Sequence, residues 1–227
     1  MADEDAVVES DVVASEIVET LAERVRSVLA RRPGRCVVGI AGAPGAGKST
    51  LASAVVAALA GPRAGAEPLD VALVPMDGFH LAGSELVRLG RQDRKGAPDT
   101  FDASGYVHLL RRLRDRQDDV YAPEFRREID EAVAGAVRVD AATEVVVTEG
   151  NYLLLDDGPW AGVRPLLDEV WFLDLDEDLR IARLVARHVR HGRSPAQARE
   201  WALGPDQCNA ERILATRDAA DVVLRGT

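Results

Sequence analysis

Cysteine is nearly absent: Cys36 and Cys208 are the two in a chain of 227 residues, and they form no C-x-x-C pair. That spacing and count argue against a disulfide framework and for a reducing compartment, with both thiols expected as plain buried side chains. No apolar run approaches the roughly 20 residues of a membrane span. The charged start Met1-Ala2-Asp3-Glu4-Asp5 is unlike a secretory leader. A soluble cytoplasmic protein without a membrane partner is the expectation. Positive charge is in the minority, with 28 Lys and Arg against 38 Asp and Glu and a formal net charge of -10, which argues against nonspecific nucleic-acid binding. Local basic clusters therefore carry more information than they would in a neutral chain.

What is present centres on Gly42-Ala43-Pro44-Gly45-Ala46-Gly47-Lys48-Ser49, which fits G-x-x-x-x-G-K-[ST] at every fixed position. An apolar run, Cys36 to Ala41, precedes it, and Thr50 to Leu59 reads as a helix, so the motif stands in the strand–loop–helix setting it requires. Loop amides and the helix N-terminus would face phosphate oxygens, Lys48 adds a full charge, and Ser49 can ligate magnesium.

Around this loop the chain alternates apolar runs with helical spacing. Val13, Ile17, Leu21, Val25 and Leu29 recur every four residues, giving an amphipathic helix from Val12 to Arg31 that Pro33-Gly34 ends, after a frayed stretch 1–10. Runs at Leu69–Pro75, Thr143–Gly150, Glu169–Asp174 and Ala220–Leu224 join Cys36–Ala41 as strands. The expected fold is α/β, a doubly wound five-stranded parallel sheet with flanking helices, in one domain over 1–227 with a small helical lid at 178–205. Asp77 follows the second strand, where ligands bind in such sheets, although a helix cap is an equal reading. The arginines of Ala103–Arg116 read as a solvated face. In the helix Asp178–His191, Arg180, Arg183, Arg187 and Arg190 fall on one side, with Ile181, Leu184, Val185 and Val189 on the other, and Arg193 follows. The row fits a phosphate clamp or an exposed basic face.

The motif's companions narrow the chemistry. The two asparagines, Asn151 and Asn209, lie in no N-K-x-D element, which disfavours a guanine-specific switch. Glu149 is one acid followed by Gly150, unlike the Asp-Glu pair of motor ATPases, and no L-S-G-G-Q segment exists. What remains is transfer of the γ-phosphoryl of ATP to a small-molecule acceptor. Lys48 and the loop amides would hold phosphates, Ser49 and Glu149 magnesium, and Arg187 and Arg193 the moving charge. Asp77 would orient the acceptor hydroxyl and take its proton.

Four segments in this order resemble the phosphoribulokinase and uridine kinase family, in its branch near bacterial pantothenate kinase. They are Gly42 to Thr50, Met76-Asp77-Gly78-Phe79, Lys95 to Asp102, and Val147-Thr148-Glu149-Gly150-Asn151-Tyr152. The resemblance spans about Arg35 to Leu224 and extends to bacterial proteins described as nucleoside or nucleotide kinases or as kinases of fructose-transport operons. It implies a P-loop kinase sheet of the nucleoside-monophosphate-kinase type, ATP and Mg2+, Asp77 as catalytic carboxylate, Glu149 at the metal, and a lid carrying Arg187 and Arg193. Acceptor contacts are expected from Asp77, Phe79, His80, Phe125, Arg127 and Asp130, and a homodimer is a candidate assembly. The chain departs from uridine kinases at Gly96, where they carry a ribose-holding aspartate, at Asp130, where they carry a base-contacting histidine, and at Phe125 in place of tyrosine. Pantothenate kinases have a histidine near Arg127. An anionic or polyhydroxylated acceptor held by Arg126 or Arg127 follows, unless those two are surface arginines. A sugar or sugar-like acceptor is preferred over pantothenate-like and nucleoside ones, and a nucleotide-binding regulator without transfer is the competing class.

Overall fold

The structure, a computed structural model, describes residues 3–31, 34–63 and 66–226. Along the chain run α1 (Asp3–Arg31), β1 (Cys36–Ala41), α2 (Lys48–Ala60), β2 (Val71–Leu73), α3 (Gly83–Leu89) and α4 (Ala103–Asp115). A hairpin of β3 (Val120–Arg126) and β4 (Glu131–Val139) follows, then β5 (Val145–Gly150), β6 (Glu169–Leu175), α5 (Glu177–Arg190), α6 (Pro195–Leu203), α7 (Pro205–Leu214) and β7 (Val222–Gly226). The main sheet is parallel, in the order β2-β5-β1-β6-β7, and is the doubly wound architecture expected.

Strands buried on both faces explain the unbroken apolar runs. Residues of β1 alternate between two cores: Val37 and Ala41 pack with α4, Tyr152 and Trp160, while Cys36, Val38 and Ile40 pack with α1 and α2. Leu21 and Val25 of α1 are buried in the second core, with Ile17 and Leu29 at its margin. The helix begins at Asp3 rather than Val12, because no glycine or proline interrupts the intervening stretch. The Val13 side chain and Pro33 of the expected stop lie outside the described residues. β2 is shorter than the apolar run that contains it, since it lies at the sheet edge and pairs with β5 alone.

The hairpin was not expected from the sequence. Its turn contains Asp130 at φ 54, a left-handed conformation that aspartate tolerates better than most residues. Among the described residues it hydrogen-bonds to no strand of the main sheet, and it rests on the 3-10 turn Met76–Phe79. A Cβ at Gly78 would overlap the carbonyl oxygen of Pro123, so the close approach requires glycine there.

Two expectations about side chains are corrected. The arginine row of α4 is not wholly solvated, because Arg114 pairs with Asp168 (3.2 Å) and Arg116 donates to the carbonyls of Ala141 and Ala142. Cys36 is buried, but Cys208 is exposed, since it lies on the outer side of α7.

Candidate active site

The P-loop joins β1 to α2. Gly47 takes the left-handed conformation at the N-cap of α2 (φ 99), which a side chain would disfavour. Gly45 lies under the lid helix: a Cβ would stand 2.7 Å from Leu184 Cγ and 2.9 Å from the carbonyl oxygen of Arg180. α5 is thereby seated directly on the loop, and its buried Arg180 donates to Pro44 O and Gln207 Oε1. Asp176 caps α5 by accepting from the amides of Asp178 and Leu179, and the Ser194–Gln197 capping box with Pro195 starts α6.

Lys48 is buried, with Nζ donating to Asn151 Oδ1 (2.8 Å) and Ala43 O (3.1 Å). Burial pushes its ammonium down to about 8; Glu149 and Asp77 oppose that shift, and Arg187 and Arg127 add to it. Ser49 Oγ donates to Glu149 Oε1 at 2.9 Å. Burial, followed by the nearby Asp77, raises the Glu149 pKa, against the pull of Lys48 and Ser49. This hydroxyl–carboxylate pair fits a hard cation. No cluster of three or more metal-ligating side chains exists among the described residues, and magnesium characteristically takes one or two protein oxygens with phosphates and waters completing its shell.

These groups open onto a cavity of 810 Å3. At one end, Asp77 faces Arg127 (3.6 Å) and Lys95 pairs with Asp130 (2.7 Å) across the hairpin turn, with Lys95 Nζ 5.2 Å from the centre of the Phe125 ring. The His80 ring lies between Phe101 and Phe125, at 4.0 Å and 4.7 Å between centroids. Its Nδ1 is 2.8 Å from Asp77 O. A carbonyl oxygen only accepts, so Nδ1 carries the proton, and burial lowers the His80 pKa and favours the neutral ring. Nε2 is then a hydrogen-bond acceptor. Over the other end stand Arg183, Arg187 and Arg190 of α5, none of which has a carboxylate partner among the described residues. Arg187 is pushed down first by burial and then by Arg127.

Most of the residues singled out in the sequence meet here. Pro44, Gly45, Gly47, Lys48, Ser49, Thr50, Asp77, His80, Phe125, Arg127, Asp130, Glu149, Arg187 and Arg193 line this cavity, and Asp77 and Glu149 stand near the ends of neighbouring strands. Gly42 packs against β6. Ala43 and Ala46 instead line a smaller cavity of 330 Å3 behind the loop, with Leu173, Leu214 and Arg217. Phe79 does not reach the large cavity, because its ring packs on Tyr106 at 5.2 Å in the core. The α5 row divides, with Arg180 buried beneath and Arg183, Arg187 and Arg190 on the cavity, while Val189 of the presumed apolar side is exposed. Arg193 lies 3.9 Å over the Trp201 ring. Arg217 lies beyond α7 and pairs with Asp174 (3.1 Å). Sequence reasoning missed Lys95, Trp201, Asp206 and Asn209 on the walls and the hold of Asn151 on Lys48. Only Lys95 and Asn151 lay within motifs that could have flagged them.

The model of the phosphoribulokinase/uridine kinase family matches residues 37–198. The chain belongs to that family. It is 37% identical over 152 residues to an ATP-dependent kinase-like protein of Aspergillus versicolor, covering 63% of this chain and 88% of that one. It is 28% identical to a pantothenate kinase of Mycolicibacterium vanbaalenii, over 86% of this chain and 68% of the other. A solved structure from Silicibacter sp. TM1040, provisionally described as a fructose transport system kinase, superposes with a TM-score of 0.80 at 39% identity, over 91% of this chain and 98% of that one. The chain is an ATP-dependent kinase with a P-loop kinase fold. No helix among the described residues is long and apolar enough to cross a membrane.

Proposed function

We propose that this family member transfers the γ-phosphoryl of ATP to a hydroxyl of a small, polyhydroxylated, sugar-like acceptor. The observation that carries the reading is the pairing at the acceptor end: Arg127 stands against Asp77 and Lys95 against Asp130, so the charges there are matched beside an aromatic floor. Matched donors and acceptors suit hydroxyl groups, whereas binding a strongly anionic acceptor would favour unmatched cations. Sugar C–H faces can lie on Phe125, and His80 Nε2 can accept from a hydroxyl.

In this reading Lys48 and the loop amides hold the β and γ phosphates. Ser49 and Glu149 would hold magnesium, which when bound neutralises phosphate charge. Asp77 orients the acceptor hydroxyl and takes its proton as that oxygen bonds to the γ-phosphorus and the bond to the β,γ-bridging oxygen breaks. Arg187 and Arg193 offset charge on the moving group, and Arg193 leaves Trp201 to do so. The cavity behind the loop, with Ala43, Ala46, Leu173, Leu214 and Arg217, is the place for the adenine. The chain acts as one kinase domain, with α5 and α6 as its lid.

The test is ADP release measured over D-fructose, D-ribose, D-glycerate, pantothenate and uridine. A neutral sugar is expected to give the highest kcat/KM. Preference for pantothenate or uridine would replace the sugar reading, and tight ATP binding without stimulation by any acceptor would favour a nucleotide-binding regulator.

A further inference from the structure

Nine polar or charged side chains are buried among the described residues. Eight of them have a side-chain hydrogen bond, from Arg35 donating to main-chain carbonyls to Glu149 accepting from Ser49. Asn209, 7% exposed, has no side-chain partner, and it lines the large cavity. Its carboxamide atoms are not among those sealed from solvent without a partner, so what little surface Asn209 exposes is open to the cavity, where a ligand can hydrogen-bond to it.

Its neighbour on α7 narrows what that ligand offers. Asp206 stands three residues earlier, on the same face of the helix, and also lines the cavity. Its Oδ2 is 2.7 Å from His188 Nε2 of α5, and its Oδ1 has no hydrogen-bond partner. The α7 wall therefore presents an amide, which both donates and accepts, and a carboxylate oxygen, which only accepts from a protonated group. Phosphate oxygens are ill matched to such a wall, because Asp206 repels them, and the unpaired arginines of α5 already serve them. Hydroxyls match it. The wall shares its cavity with the acceptor end: Asp206 and Asn209 line the same space as Asp77, Phe125, Arg127 and Asp130.

We propose that Asn209, with Oδ1 of Asp206, binds hydroxyls of the acceptor and is a specificity-determining element of the cavity beside the hairpin residues that line it. The inference rests on the sugar-kinase reading and extends it from one wall to two. Acceptor hydroxyls remote from the reacting one hydrogen-bond to α7 while the reacting hydroxyl lies at Asp77.

The experiment compares the full chain with Asn209→Leu and Asn209→Ala, using the best substrate among D-fructose, D-ribose, D-glycerate, pantothenate and uridine, with thermal melting recorded for each protein. Loss of one completed hydrogen bond is expected to raise the acceptor KM about tenfold, with the KM for ATP within about twofold of the parent. If Asn209→Leu fails to fold, Asn209→Ala carries the measurement, and Asn209→Asp, which keeps the size and an accepting group, is expected to recover part of the loss. A folded variant with an unchanged acceptor KM, or with the KM for ATP raised instead, overturns the assignment and leaves the kinase reading intact. Absence of turnover by the parent chain with every acceptor overturns both.

Discussion

At the proposed donor end of the cavity Arg183, Arg187 and Arg190 stand by the P-loop with no carboxylate partner among the described residues, whereas at the proposed acceptor end Lys95 and Arg127 are each held beside one. Both ends are rich in basic residues, and counting those residues would make them alike. Pairing separates them. Unpaired guanidinium groups beside the loop are suited to a polyphosphate, and matched pairs over an aromatic floor to a ligand with little charge. A basic cluster in a cavity thus indicates anion binding only where its charges are left over.

Substitutions and a pH profile at the two ends test this contrast. The largest effect is expected from Asp77→Asn, which removes the proposed base and leaves Arg127 unmatched: kcat should fall about a thousandfold with ATP affinity nearly unchanged, as read by single-turnover kinetics and nucleotide titration. Full activity would remove Asp77 from the chemistry. Arg187→Ala should lower kcat about a hundredfold, since it deletes an uncompensated donor near the moving phosphoryl. An effect confined to the acceptor KM would place Arg187 on the wrong side of the comparison.

The pH profile tests Lys48. Its protonated form attracts phosphate, and its pKa is lowered to about 8 in the nucleotide-free chain. Accordingly kcat/KM for ATP should be level below that pH and fall about tenfold per unit above it. A profile that stays level well beyond that point would show the ammonium to be better compensated than its surroundings suggest. The smallest effect is expected from Asp130→Asn, which frees the Lys95 charge: the kcat/KM ratio of D-glycerate to D-fructose should rise about threefold. An unchanged ratio would mean that matching at the hairpin turn does not set acceptor charge.

The donor half was legible in the sequence because its geometry is local. A loop that turns its amides inward needs glycine at fixed spacing, and buried parallel strands need unbroken apolar runs, so Gly42 to Ser49 and the five strands stand out without a partner in view. Asp77 and Glu149 could be placed because each stands near the end of such a run. The acceptor half depends on pairs distant in the chain. Lys95 and Asp130 are 35 positions apart, and whether Arg127 is free or matched depends on the hairpin docking against Met76–Phe79. The hairpin itself carries no Asn-Gly or Asp-Gly turn, so its strands read as an irregular polar segment. Asn209 lies three positions from Asp206 on an otherwise ordinary helix, and only burial without a partner sets it apart. Phe79 shows the opposite error: it was expected among the acceptor contacts, while the tight turn sends its ring into the core.

The hairpin's independence from the main sheet has an evolutionary consequence. Residues 126–130 can be rewritten or lengthened without disturbing any strand that carries the phosphate machinery, provided that Gly78 keeps its place beneath Pro123. On the proposed reading, a lineage can therefore rewrite one of the two acceptor walls by editing a single surface turn while inheriting its engine whole.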